Sequence, residues 1–203
     1  MTLQARMRFC ASLAGAGALM VAADPAAAHT FGAGGAGFEQ GVVHPLSGLD
    51  HILAMVAVGL WAAQRGGTDL WRLPLTFMGA MAVGAGLAVA GIQLPLVEFG
   101  IAGSVALLGL FVAFGTRMPS AAAYSLVALF ALCHGHGHGS ELPTAAHPAL
   151  YALGFLLATG TLHAIGIGTG LAAKKAGHVA MDYGMRTAGV LVALAGAGLL
   201  VQI

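Results

Sequence analysis

Charge is what this chain has least of. Only 7% of its 203 residues are Asp, Glu, Lys or Arg, against roughly 25% in soluble domains, so it cannot wrap a water-facing surface around a core. A net charge of +1 gives no reason to expect a nucleic-acid partner. Cysteine is nearly missing as well, with Cys10 and Cys133 alone, too few for a disulfide framework. No G-x-x-x-x-G-K-[ST] loop occurs, so the chain does not itself hydrolyse ATP. What fills the space is apolar: 59% hydrophobic residues and a mean hydropathy of +0.89. Glycine, at 32 residues, runs about twice its average usage, as closely packed membrane helices prefer. The composition predicts an all-α integral membrane protein embedded in a lipid bilayer.

Residues 1–28 read as a cleaved signal peptide. Arg6 and Arg8 precede an apolar stretch from Phe9 to Ala23, and Ala26-Ala27-Ala28 supplies the small residues signal peptidase needs. Cleavage would leave His29 as the mature N-terminus outside the cytoplasm, and Cys133 as the single thiol. The alternative is an uncleaved first span, for which the apolar part is short.

From residue 29 to 203 the expectation is one permease-like domain of six transmembrane helices. The apolar segments lie near 43–63, 73–92, 96–115, 120–138, 148–171 and 183–203, each about long enough for ~30 Å of hydrocarbon. Gly66-Gly67, Pro95, Pro119, Pro143 and Pro148 punctuate them. Beyond the leader, the basic residues are Arg65, Arg72, Arg117, Lys174, Lys175 and Arg186. All six fall in or beside the first, third and fifth loops. The positive-inside rule then places those loops in the cytoplasm and the N-terminus in the periplasm of a bacterial inner membrane.

Against this apolar background the histidines and carboxylates stand out. In VHPLSGLDHILAM, Pro45 suits a first helical turn, which puts His44 at an N-cap, His51 two turns deeper on the same face, and Met55 one turn further. Asp50 could ligate an ion directly or accept from an imidazole N–H and so fix the tautomer of His51. A carboxylate inside a membrane helix costs at least a few kcal/mol unless paired. In LFALCHGHGHGSELP, His134 and His138 share a face at i, i+4, and His136 projects elsewhere. Gly135, Gly137 and Gly139 each disfavour helix by ~1 kcal/mol relative to alanine, so local unwinding is expected here, with Glu141 at the outer rim. His163 lies mid-helix in the fifth segment, where a bond to a neighbouring helix and a place on an ion path are equally open. Gly166 and Gly170 form a small-xxx-small face beside it. His29 could chelate through its amine and imidazole. Imidazole with carboxylate suits Ni²⁺, Co²⁺, Zn²⁺ or Cu²⁺. A flexible His-rich loop that traps metal by chance is the bland reading of HGHGHG, but it leaves Asp50-His51 unexplained.

HPLSGLDH resembles the H-x5-D-H signature of the HupE/UreJ nickel and cobalt permeases, found beside hydrogenase and urease systems. The second signature of that family, roughly F-H-G-x-A/V-x-G-x-E, falls on Cys133 to Glu141. His134, Gly135, Gly139 and Glu141 match it, while Cys133 and Gly137 depart from it. The resemblance runs through GLDHILAMVAVGLWAAQ to LHAIGIGTG and so spans nearly the whole chain. It implies uptake of Ni²⁺ or Co²⁺ through six helices, with His44, Asp50, His51, His134 and Glu141 as the functional set.

The expected function is therefore secondary or channel-like uptake of a divalent transition metal, nickel or cobalt, supplying metalloenzymes. The ion is cargo, with no permanently bound cofactor and no catalytic residue. Metal ligands are expected at His44, Asp50, His51, His134, His138 and Glu141. His29, His136, Met55 and His163 are candidates for the path. The alternative is an intramembrane zinc-dependent hydrolase with nearly the same ligands and Glu141 as base; a bis-histidine haem protein is a third. A homo-oligomer is compatible with the sequence.

Overall fold

The computed structural model of the protein describes residues 37–142, 147–177 and 179–203, the last stretch without the side chains of residues 179–181. The expected leader (residues 1–28), His29 and His178 lie outside the described residues. Seven helices are present among the described residues: α1 (Phe38–Ser47), α2 (Leu49–Arg65), α3 (Asp69–Val89), α4 (Val97–Phe114), α5 (Ser120–Ser140), α6 (Pro148–Ala176) and α7 (Val179–Val201). No strand occurs among them. By length and apolarity α3, α4, α6 and Asp182–Val201 can each cross a membrane, and α1 with α2 makes a fifth if the pair is one broken span. The helix α5 has the length, at 21 residues, but three histidines and three glycines occupy its last turns.

The first expected segment is not one helix. α1 and α2 meet at 84° across Gly48, whose backbone is extended at φ −92°, ψ 118°. Pro45 sits inside α1 and His44 in its last turn, so the expected N-cap at His44 and the single His44–His51–Met55 stripe are both wrong. The reason is local. A Cβ on Gly48 would lie 2.8 Å from Asp50 Oδ1 and 2.9 Å from His51 Nδ1, so this glycine leaves room for their side chains to fold back over the break.

The expected unwinding at Gly135–Gly139 is also overturned, because α5 continues through Ser140. These glycines serve packing. A Cβ on Gly135 would collide with the carbonyl oxygen of Met81 on α3, and one on Gly139 would meet Ala85 O. Gly84 of α3 presses in return on Leu132 O. The helix cost of ~1 kcal/mol per glycine is offset by the close approach it permits. Gly137 faces α4, where a Cβ would meet the flexible end of Ile101 at 3.2 Å and Val97 Cγ1 at 3.9 Å, both side chains and no backbone. Gly135→Ala is therefore expected to destabilise by roughly 1–3 kcal/mol or more through overpacking, whereas Gly137→Ala is expected to be neutral or mildly stabilising. Thermal unfolding of the two variants in detergent separates them, and equal melting points would refute the assignment.

The same device recurs between α2 and α6. A Cβ on Gly59 would strike His163 O, one on Gly166 would strike Val56 O, and Gly170 lies against Ala63, so the expected small-residue face is used. α3 packs on α5, α4 on α7, and α1 and α2 on α6, while α2 also touches α3 and α4. That central position explains why Ala54, Met55, Ala57, Val58, Trp61 and Ala62 of α2 are fully buried.

At its far end from Gly48, α2 is tied down by polar contacts. Arg65 Nε donates to Asp69 Oδ2 at 2.6 Å, its NH1 to Met118 O at 2.9 Å and its NH2 to Ser120 Oγ at 3.2 Å. Tyr124 Oη donates to the other oxygen of Asp69. Lys174 Nζ on α6 donates to Ala63 O at 2.6 Å and Gln64 O at 3.0 Å. Trp61 Nε1 and Gln64 Nε2 reach Thr116 O and Val112 O. Four other helices or their connections are thus fastened to one helix end.

Candidate metal centre

The break at Gly48 brings the end of α1, the start of α2 and the end of α5 to one place. His51 on α2 has its ring 4.7 Å from that of His134 and 4.0 Å from that of His138, centroid to centroid. His44, arriving from α1, stands 4.6 Å from His138. Tyr151 and Phe155 of α6 wall this end, with Phe155 4.2 Å from His138 and Tyr151 6.0 Å from His44.

Hydrogen bonding decides which nitrogens are available. Asp50 Oδ1 accepts from His51 Nδ1 at 2.9 Å, which places the proton on Nδ1 and leaves Nε2 as a lone pair. Ser104 Oγ on α4 donates to Ile101 O at 2.6 Å and lies 2.7 Å from His134 Nε2. Its one hydrogen is committed to the carbonyl, so Ser104 accepts from His134 and leaves Nδ1 as the lone pair. His51 Nε2, His134 Nδ1 and both nitrogens of His138 are buried without a hydrogen-bond partner. A buried polar atom left unpaired costs ~1–3 kcal/mol. Three such imidazoles side by side suit a cation that accepts their lone pairs.

Exposure falls along the cluster. The side chains of Glu141 and His44 are 41% and 21% exposed and face each other at 3.5 Å, Oε2 to Nε2, while His134 is completely buried. One ligand atom from each of His44, His138 and Glu141 lies within 4.8 Å of the others, close enough to converge on one ion. Among the described residues this outer trio, open to the surface, is the group whose ligand atoms converge; behind it His51 packs its ring against those of His134 and His138, an inner trio that shares His138.

The helix ends add a field. His44 and His138 occupy the last turns of α1 and α5, where the carbonyl ends carry partial negative charge that favours a cation. α2 instead points its N-terminus at the site, and Asp50 in its first turn supplies the negative charge that end favours.

The remaining expected residues are placed differently. His136 is buried with Nε2 2.9 Å from Ile92 O, so it fastens the α3–α4 connection, on a face of α5 other than that of His134 and His138. Met55 is fully buried one turn beyond His51. His163 is buried deep in α6 and its ring meets Phe77, 5.3 Å away, not the inner trio. Cys133 lies against Gly100, where a Cβ would stand 2.9 Å from its own, so a bare glycine on α4 receives the side chain that departs from the signature. Ser104 was missed by the reading of the sequence; its only signal there is being the one hydroxyl in the 18 residues of α4. Phe77 gave none.

Fold and site together define a helical protein with several membrane-capable helices that gathers imidazoles behind a surface carboxylate. The family model described as HupE / UreJ protein matches residues 17–199, and the chain belongs to the HupE/UreJ family. It is 52% identical over 166 residues to Protein HupE of Rhizobium leguminosarum bv. viciae, covering 81% of this chain and 85% of that one. No solved structure matches.

Proposed function

We propose that this protein carries a divalent transition metal, nickel or cobalt, across the bacterial inner membrane to supply metalloenzymes. The observation that carries the reading is the set of buried, unpartnered nitrogens on His51, His134 and His138. Two of these imidazoles are held in a single tautomer by Asp50 and Ser104. The family is associated with nickel and cobalt uptake for hydrogenase and urease, which fits that donor set. Its members are transporters or accessory proteins, and the hydrolase alternative gains no support.

In this reading His44 and Glu141 take the hydrated ion at the surface, and His138 passes it to His51 and His134. The broken pair α1–α2 is counted with α5 among six spans, residues 1–28 are removed as a leader, and the basic loops lie in the cytoplasm. The membrane potential supplies ~2.3 kcal/mol per charge per 100 mV, twice that for a divalent ion, so no bound nucleotide is required. Cells expressing the protein are expected to accumulate ⁶³Ni or ⁵⁷Co from submicromolar medium. A well-inserted protein that moves neither ion at any pH would refute the proposal.

A further inference from the structure

Beyond the inner trio, α6 buries a second polar pair that the uptake reading does not use. His163 is 1% exposed with neither ring nitrogen bonded, and Thr159 is 0% exposed with its hydroxyl unbonded. They lie at i, i+4 on one face of α6. The hydroxyl is unusual for its surroundings. Thr161 and Thr169, exposed on the same helix, each return their hydroxyl to the carbonyl four residues back, at 2.8 and 2.7 Å, as threonine commonly does in an apolar helix. Thr159 has the same backbone available yet does not bond to it. Three polar atoms are thereby left unsatisfied in one patch of a packed interior, each at ~1–3 kcal/mol. Native cores keep few such groups without a ligand, water or ion to meet them.

Phe77 relates this patch to the trio. Its ring centroid is 5.6 Å from His134 and 5.3 Å from His163, so one fully buried phenyl touches both imidazoles. At the same level, Gly59 brings the backbone of α2 against His163 O. Met55, one turn away on that face of α2 and fully buried, carries a thioether at this depth.

We propose that His163 and Thr159 form a second, inner station for the same divalent ion, partitioned from the outer histidines by Phe77. The inference rests on the uptake reading and deepens it. His163 offers an imidazole lone pair and Thr159 a neutral hydroxyl oxygen, a weaker donor set than the trio and without a carboxylate. Weak binding suits a station that must release its ion. The ion reaches it by passing one side chain, not an aqueous channel, so occupancy of the two stations alternates with the position of Phe77.

The test replaces His163 by cysteine in the full chain with Cys10→Ser and Cys133→Ser (the Cys133→Ser parent), purified in detergent and titrated with Co²⁺. Visible d–d absorption reports cobalt on the outer histidines, and a near-ultraviolet thiolate-to-cobalt band reports cobalt at position 163. Both bands are expected in His163→Cys, and the d–d band alone in the Cys133→Ser parent. In cells, His163→Phe, which keeps ring volume without a donor atom, is expected to lower ⁵⁷Co uptake roughly tenfold or more while retaining the d–d band. His163→Cys is expected to recover part of that loss. A d–d band without the charge-transfer band overturns the inner station and leaves the outer site standing. Wild-type uptake in His163→Phe does the same. Absence of both bands in every variant, parent included, overturns the uptake reading itself, and the station with it.

Discussion

Asp50→Asn is expected to reduce nickel or cobalt uptake by roughly 10–100-fold at unchanged membrane abundance, the range usual for the partner that orients a ligating histidine. The carboxylate oxygen accepts from His51 Nδ1, and nothing else in the contacts of that ring fixes its proton. An amide can present an N–H instead, which drives the proton to Nε2 and points a donor at the ion. Asparagine also removes the negative charge from the N-terminal turn of α2, exposing a cation to the positive end of that helix. His51→Ala, which deletes the nitrogen outright, is expected to lose at least as much. His136→Asn, by contrast, touches a side chain committed to Ile92 O, and uptake per inserted molecule should stay near wild type. ⁶³Ni and ⁵⁷Co accumulation, normalised to protein in the membrane, reads all three. Wild-type transport by Asp50→Asn would remove the carboxylate from the mechanism.

The largest effect on stability is expected at the other end of α2. Asp69→Ala leaves Arg65 buried with its charge uncompensated and strips Tyr124 of its acceptor. Removing one partner of a buried pair costs roughly 3–5 kcal/mol, and for a chain of this size each kcal/mol moves the melting temperature by about 2–4 °C. A fall on the order of 10 °C in detergent is the expected result. The double change Arg65→Met with Asp69→Leu should recover much of it, since an apolar pair of similar volume leaves no orphaned charge. If the single variant melts like wild type, the network contributes no net stability.

The ligand candidates were legible because imidazole and carboxylate are costly in a chain this apolar, and cost makes a residue conspicuous. The helices were legible for the same reason, since runs such as 96–115 admit little else. The break at Gly48 was not. Pro45 suits a helix start and also tolerates a place inside α1, and only the folding back of Asp50 and His51 decides between them. Gly135 and Gly139 misled in the opposite direction: their intrinsic preference is against helix, but the carbonyls of Met81 and Ala85 that reward them belong to α3. Ser104 was invisible because a lone serine in an apolar helix most often just bonds back to its own backbone, as this one does to Ile101 O, and its second role depends on His134 arriving from α5. Phe77 is an ordinary core residue by type, and its two imidazole neighbours are set by packing alone.

The convergence of the α1 and α5 carboxyl-terminal ends on the histidines has a consequence for selection by valence. Imidazole is a neutral donor and discriminates metals by orbital chemistry, with little regard for their charge. Two fixed partial negative poles and the Asp50 carboxylate discriminate by charge, in proportion to the ion's own. A monovalent ion offered the same nitrogens gains about half the electrostatic stabilisation of a divalent one, and an anion is repelled before any nitrogen meets it. Under the proposed uptake, the helix ends and the Asp50 carboxylate would therefore sort ions by sign and valence, and the imidazoles would keep the narrower task of choosing among divalent metals.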